Sequence, residues 1–318
     1  MKSLFSLLLV ALIFVSCTNK NTRISIEEEQ KLKALLEQKD YFKLQKTFDK
    51  SKDMLSEEKQ LFFKSVIDNA FNRNDTCVAK INKLLQQPSS KLTDSAKATL
   101  YFLLDDSYFK LYEYYKAAQV DQILLKKYIK CLGKDEVDDI KNKFTIRNAL
   151  KNIPAQQTII KESTTINWTK NSVGLTQIPV GTGASKCLAV FDTRANISTI
   201  SKTYADKLRL HMLNVSYNEG SGATGIQFKT SMGIADSLNI GSIIVKNVLF
   251  QVMPDSILYI APIKLQLNVI IGYPVIAQLQ EIHLFKDGRM TIPLSPSQRP
   301  LHNLALDQLD PVYCVKDG

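Results

Sequence analysis

The chain has 318 residues, 45% hydrophobic and 23% charged, with a formal net charge of +10. That is long enough for two ordinary domains with cores of their own. The positive excess is spread along the chain, without long runs of like charge or a basic patch interleaved with aromatics, which argues against nucleic-acid binding. The five cysteines and three histidines show neither CxxC pairs nor metal-ligand spacing, so a disulfide framework, a metal site, Cys–His catalysis and a bound cofactor are not expected.

The first element, residues 1–17, is a targeting segment rather than part of the fold. Lys2 precedes the apolar run "LFSLLLVALIFV", too short to cross a bilayer comfortably, and the run ends in "SCTNK". The ending "FVSC" resembles a bacterial lipobox, which implies an exported protein held at the bacterial cell envelope, on the periplasmic or outer-membrane face, by a lipid on Cys17. The alternative is an ordinary secretory signal cleaved near Ser16. The polar tract 18–22 fits a flexible tether between lipid and fold.

Residues 18–155 read as an α-helical domain. Between residue 25 and Gly133 there is no glycine and one proline, Pro88, while apolar residues recur at three- and four-residue spacing. "LEQKDYFKLQKTF", "FNRNDTCVAKINKLL" and "FKLYEYYKAAQVDQILL" look like successive helix–turn–helix corners. Their acidic residues Asp40, Asp75 and Glu113 lie 35 and 38 residues apart, near the period of tetratricopeptide-type helical pairs. Ser56 and Thr93 are placed to cap the first helices of later pairs. A helical-hairpin array and a plain bundle both satisfy the pattern. The aromatic cluster Tyr101, Phe102, Tyr108, Phe109, Tyr112, Tyr114 and Tyr115 is expected to divide between core and the lining of a groove.

Residues 156–295 change to short β-branched runs separated by glycine and Asn/Asp turns, the pattern of hairpins in an all-β domain. Two short helices interrupt it, "KTYADKLRL" and "PVIAQL". The expected fold class is therefore α+β and multidomain, an α-helical array followed by an all-β barrel with two short helices.

From about residue 160 to 295 the β half resembles a retropepsin-like aspartic protease domain, with the nearest likeness to exported proteins of Bacteroidetes-type bacteria. The ordered set "AVFDTRANIST", a glycine-rich hairpin, "SLNIGSIIVKNVLFQVM", "VIIGYPVI" and "EIHLFKDGRMTIP" carries the likeness. It implies that Asp192 is the catalytic aspartate and that the Thr193 hydroxyl braces one loop against another. Ile270, Ile271 and Gly272 then form the strand and turn packed behind the loop. "NEGSGATG" falls where a flap would cover substrate, with Gly220, Gly222 and Gly225 giving it mobility; a plain surface hairpin explains these glycines equally well.

In such an enzyme two aspartates share one proton and activate a water against a peptide bond. One loop per domain requires either a homodimer or a second half. Residues 296–318 read either as a tail or as the start of that half, since "DPVYCVKDG" has the grammar of "TQIPVGTGAS". The departure is Arg194, where the family has glycine. Its side chain and charge are expected to disturb a tight turn, favour an ionised Asp192 and crowd an approaching loop. Three readings follow. The chain is a retropepsin-type endopeptidase of lost or reduced activity, acting on a peptide or protein substrate, or a non-catalytic peptide- or protein-binding lipoprotein, or a truncated remnant.

Overall fold

The computed structural model describes residues 20–87, 92–220 and 227–297. Cys17, Pro88, Gly222, Gly225 and most of the 296–318 segment lie outside them. The described chain divides into two compact units, one helical and ending at Lys151, the other β-rich and beginning at Asn152.

The helical unit comprises α1 (Lys20–Glu37), α2 (Tyr41–Ser51), α3 (Glu57–Ala70), α4 (Asn74–Leu85), α5 (Asp94–Lys110), α6 (Tyr114–Lys127) and α7 (Lys134–Leu150). Residues 20–22, expected in a tether, are instead the first residues of α1. Ser56 and Thr93 cap α3 and α5, their hydroxyls accepting from the N–H groups of Lys59 and Ala96. Leu32, Leu44, Phe63, Ile81, Leu100 and Leu124 are fully enclosed in one apolar core.

The three corners α1–α2, α3–α4 and α5–α6 share one backbone solution. Lys39, Asn72 and Tyr112 each take a left-handed φ, 56°, 55° and 60°. The next residue's N–H reaches back five residues, Asp40 to Leu35 O, Arg73 to Asp68 O and Glu113 to Tyr108 O. This is the closing bond of a Schellman motif. The equivalent positions are therefore Asp40, Arg73 and Glu113. Asp75, the expected member of the acidic series, lies instead in the first turn of α4. Of the aromatic cluster, Phe102 and Tyr114 are buried and Tyr115 is 58% exposed. The others are half-buried.

The β-rich unit contains β1 (Gln157–Ile159), β2 (Thr164–Asn167), β3 (Thr169–Lys170), β4 (Thr176–Thr182), β5 (Ser185–Phe191), β6 (Ser198–Ser201), α8 (Lys202–Lys207), β7 (His211–Gly220), β8 (Gln227–Ile240) and β9 (Ile243–Met253). There follow β10 (Tyr259–Ile260), β11 (Leu265–Gln266), β12 (Val269–Ile271), α9 (Tyr273–Ala277), β13 (His283–Leu284) and β14 (Arg289–Ile292). In the main sheet the order is β1-β9-β6-β12-β5-β4-β8-β7, and β8 also pairs with β9. The pairings β9-β6-β12-β5-β4-β8 thus return to β9, through a single bridge between Gly181 and Asn239. Inward side chains from this ring, among them Ile178, Ile200, Val245, Phe250 and Ile271, form the second core.

Candidate active site

The site is built where β12 is inserted between two strands that are neighbours in sequence. β5 runs parallel to β12, with Ile270 opposite Val190 and Ile271 opposite Phe191. β6 lies antiparallel on its other edge, with Val269 opposite Ile200 and Ile270 opposite Thr199. The chain leaving β5 cannot pair directly with β6, so residues 192–197 arch over the end of β12. Asp192 is the first residue of that arch.

Three hydrogen bonds join the arch to the segment behind it. The Asp192 N–H donates to Ile271 O at 3.0 Å, and the Tyr273 N–H donates to Ala195 O at 2.8 Å. The Gly272 N–H donates to the buried Ser198 Oγ at 3.0 Å. Within the arch the Arg194 N–H donates to Asp192 Oδ1 at 2.9 Å, an Asx-type turn that orients the carboxylate. Gly272 is needed for space. A Cβ there would lie 2.7 Å from Ala195 O and from the Ile197 carbonyl carbon, both backbone atoms that cannot swing away.

Asp192 is half-buried, Thr193 and Arg194 are exposed, and Ile270, Ile271 and Gly272 sit immediately behind them. Arg194 is not among the described residues of positive φ, so its own turn accommodates a side chain without left-handed strain. The expected backbone penalty is absent, because the Asx turn closes on Asp192 Oδ1 with an ordinary φ.

Gly220 ends β7 opposite Gln227, the last described pair of the long β7–β8 hairpin. Polar groups fasten that hairpin to β9. The Gln251 amide donates to Tyr217 Oη at 3.1 Å and Thr230 Oγ1 donates to Val252 O at 2.9 Å. Ser198 was not singled out from the sequence. The Ser-Thr pair behind the aspartate was its only signal, and the hydroxyl's partner lies 74 positions along the chain. Among the described residues no group of three His, Cys, Asp or Glu side chains could hold a metal ion.

Residues 178–275 match the family model for aspartyl protease, a span from β4 into α9 that contains the whole arch. The crystal structure of a retropepsin-like aspartic protease from Rickettsia conorii is similar at 16% identity and a TM-score of 0.27, covering 43% of this chain and 91% of that one. No curated protein matches the chain. The chain thus carries a helical unit followed by a β-rich unit, within which residues 178–275 match the aspartyl protease family model.

Proposed function

We propose that this aspartyl-protease-type domain is one half of a retropepsin-type endopeptidase site, with Asp192 as its aspartate and its activity reduced or lost through Arg194. The observation that carries the reading is the position of Asp192, at the end of β5 and on an arch bound to the Ile271–Tyr273 segment at three points. A loop held this firmly keeps a carboxylate in one orientation, the requirement for a general base acting on a bound water. A second carboxylate is needed to share the proton and then protonate the leaving amine. It is supplied by a second copy or by a second half of the same design. Thr193, exposed beside Asp192, is the residue that would brace the two loops, and the β7–β8 hairpin ending at Gly220 would cover a peptide or protein substrate.

Arg194 lies two residues from Asp192 in the chain and is exposed. It puts a long charged side chain where the family has glycine, beside the place a partner loop would take. In the same reading the chain is exported and held to the cell envelope by a lipid on Cys17, with the helical unit a tetratricopeptide-like spacer or recruiting array.

The test is peptide cleavage at acid pH by the wild type, by Asp192→Asn, by Arg194→Gly, and by Arg194→Gly combined with Asp192→Asn. The expected result is little or no cleavage by the wild type, gain of cleavage in Arg194→Gly and loss again in the double variant. Full wild-type activity abolished by Asp192→Asn would overturn the impairment; cleavage indifferent to Asp192 would overturn the assignment of the aspartate.

A second reading, a non-catalytic peptide-binding protein, draws on Phe42 and Tyr115. They are 62% and 58% exposed and each is the second residue of its helix after an equivalent corner. Selection of a randomised peptide library on the full chain, repeated with Phe42→Ala and Tyr115→Ala, tests it. Loss of the selected peptides in both variants supports that reading.

A further inference from the structure

The helical unit encloses an ionic cluster that the proposed peptidase chemistry does not use. Asp105 from α5, Asp121 from α6 and Arg147 from α7 are 2%, 0% and 5% exposed. Arg147 Nη2 donates to Asp105 Oδ2 at 2.8 Å, while Nη1 reaches Asp121 Oδ2 at 3.1 Å and Oδ1 at 3.3 Å. The guanidinium also lies over the Phe109 ring, 5.3 Å from its centre. Three successive helices therefore meet at one guanidinium and two carboxylates.

The charges do not balance. One cation faces two anions where water cannot compensate the remainder, and an uncompensated buried charge is costly. Among the other ionic groups near α6, Lys143 partly offsets the deficit at Asp121, but burial outweighs it. Lys143 of α7 is paired with Asp139 at 2.7 Å, and Asp106 of α5 with Lys110 at 2.9 Å. Lys141 is paired with Asp138 at 3.2 Å, and Lys130 in the turn after α6 is exposed. A single proton makes the cluster neutral.

The geometry points to a one-proton latch: the Asp105–Asp121–Arg147 cluster holds α7 onto α5 and α6 in its protonated state, and raising the pH releases α7. The two carboxyls take up the proton as a pair, and Asp121 makes the longer contacts to Arg147. Burial first, and then the Asp105 charge, push the Asp121 carboxyl up to about 8, against the opposing pull of Arg147 and Lys143. The sign follows from linkage. The folded carboxyl binds its proton more tightly than the unfolded one, so the latch is strongest below the ordinary aspartate range near 4. It weakens progressively as pH rises, until the proton is lost in the folded state as well.

Hydrogen–deuterium exchange of the full chain, read on peptides within Lys134–Leu150 from pH 5 to 9 and corrected for intrinsic exchange, tests the latch. Protection of α7 is expected to fall by up to about tenfold per pH unit and to level off once the cluster has ionised. Asp121→Asn and Asp105→Asn each leave one carboxylate facing one guanidinium, and each is expected to flatten the dependence. Wild-type protection that does not change with pH, or a slope that survives in both variants, overturns the proposal. Should the variants not fold, carboxyl carbon-13 shifts of the wild type decide. One aspartate titrating between pH 6 and 9 supports the latch, and none titrating there overturns it.

Discussion

Gly272 and Ser198 do as much for the candidate site as Asp192, although neither carries reactive chemistry. Gly272 allows the arch to lie within backbone contact of the β12–α9 turn, and Ser198 supplies the acceptor for the N–H that this approach buries. Gly272→Ala drives a methyl against the Ala195 and Ile197 backbone and is expected to cost about 1–3 kcal/mol. Ser198→Ala leaves the Gly272 N–H buried without its acceptor and is expected to cost about 1–3 kcal/mol. Urea unfolding followed by fluorescence of the single tryptophan, Trp168, reads both losses in the β-rich unit. If either variant unfolds at the wild-type urea midpoint, the lacing of the arch contributes less than its geometry indicates.

At the scale of elements, the three helical corners repeat one motif at the expense of a left-handed non-glycine residue each. Such a residue costs about 1 kcal/mol against glycine. Lys39→Gly keeps the Asp40 N–H to Leu35 O bond and removes that cost, so it is expected to stabilise the helical unit by ~1 kcal/mol. The measurement is the urea midpoint by circular dichroism at 222 nm, and a lower midpoint would count against it. These corners also explain an error of register. Acidic residues suggested Asp40, Asp75 and Glu113 as equivalents, but the backbone bonds place Arg73 in the series. A cap position is defined by hydrogen bonds, and several side chains are compatible with it. In the β-rich unit, both short helices and the hairpins were legible, because their punctuation by glycine, proline and Asn/Asp is local. The insertion of β12 between β5 and β6 was not legible from periodicity. The family resemblance implied only that Ile270, Ile271 and Gly272 pack behind the loop; the strand order itself is a long-range property that the structure shows.

For the whole molecule, buried charge sets opposing pH limits on the helical unit. Burial raises the Asp68 carboxyl, but the hydrogen bonds from Lys64, Lys80 and Arg73 outweigh it and hold the group below its ordinary value. Burial likewise raises Glu29, and Lys33 and Lys59 more than offset it. Both carboxyls are thus lowered on folding. Their stabilisation is present above the ordinary carboxylate range and is lost as pH falls through the folded values. Helical stability is therefore expected to decline in acid below about pH 4, and Asp68→Asn to flatten part of that decline. Urea midpoints at 222 nm between pH 2 and 6 check this. A variant with the same acid slope as the wild type would refute the role of Asp68.

By itself the sequence determined the division into a helical and a β-rich half and the helix starts at Ser56 and Thr93, because periodicity and capping are local signals; Asp192 was singled out through the family resemblance. Only the tertiary structure decided that Arg194 sits in its turn without a left-handed backbone and that Ser198 serves Gly272. It alone brought Asp105, Asp121 and Arg147 to one buried point. Each of these depends on which distant segments touch, and burial and charge balance do not exist until they do.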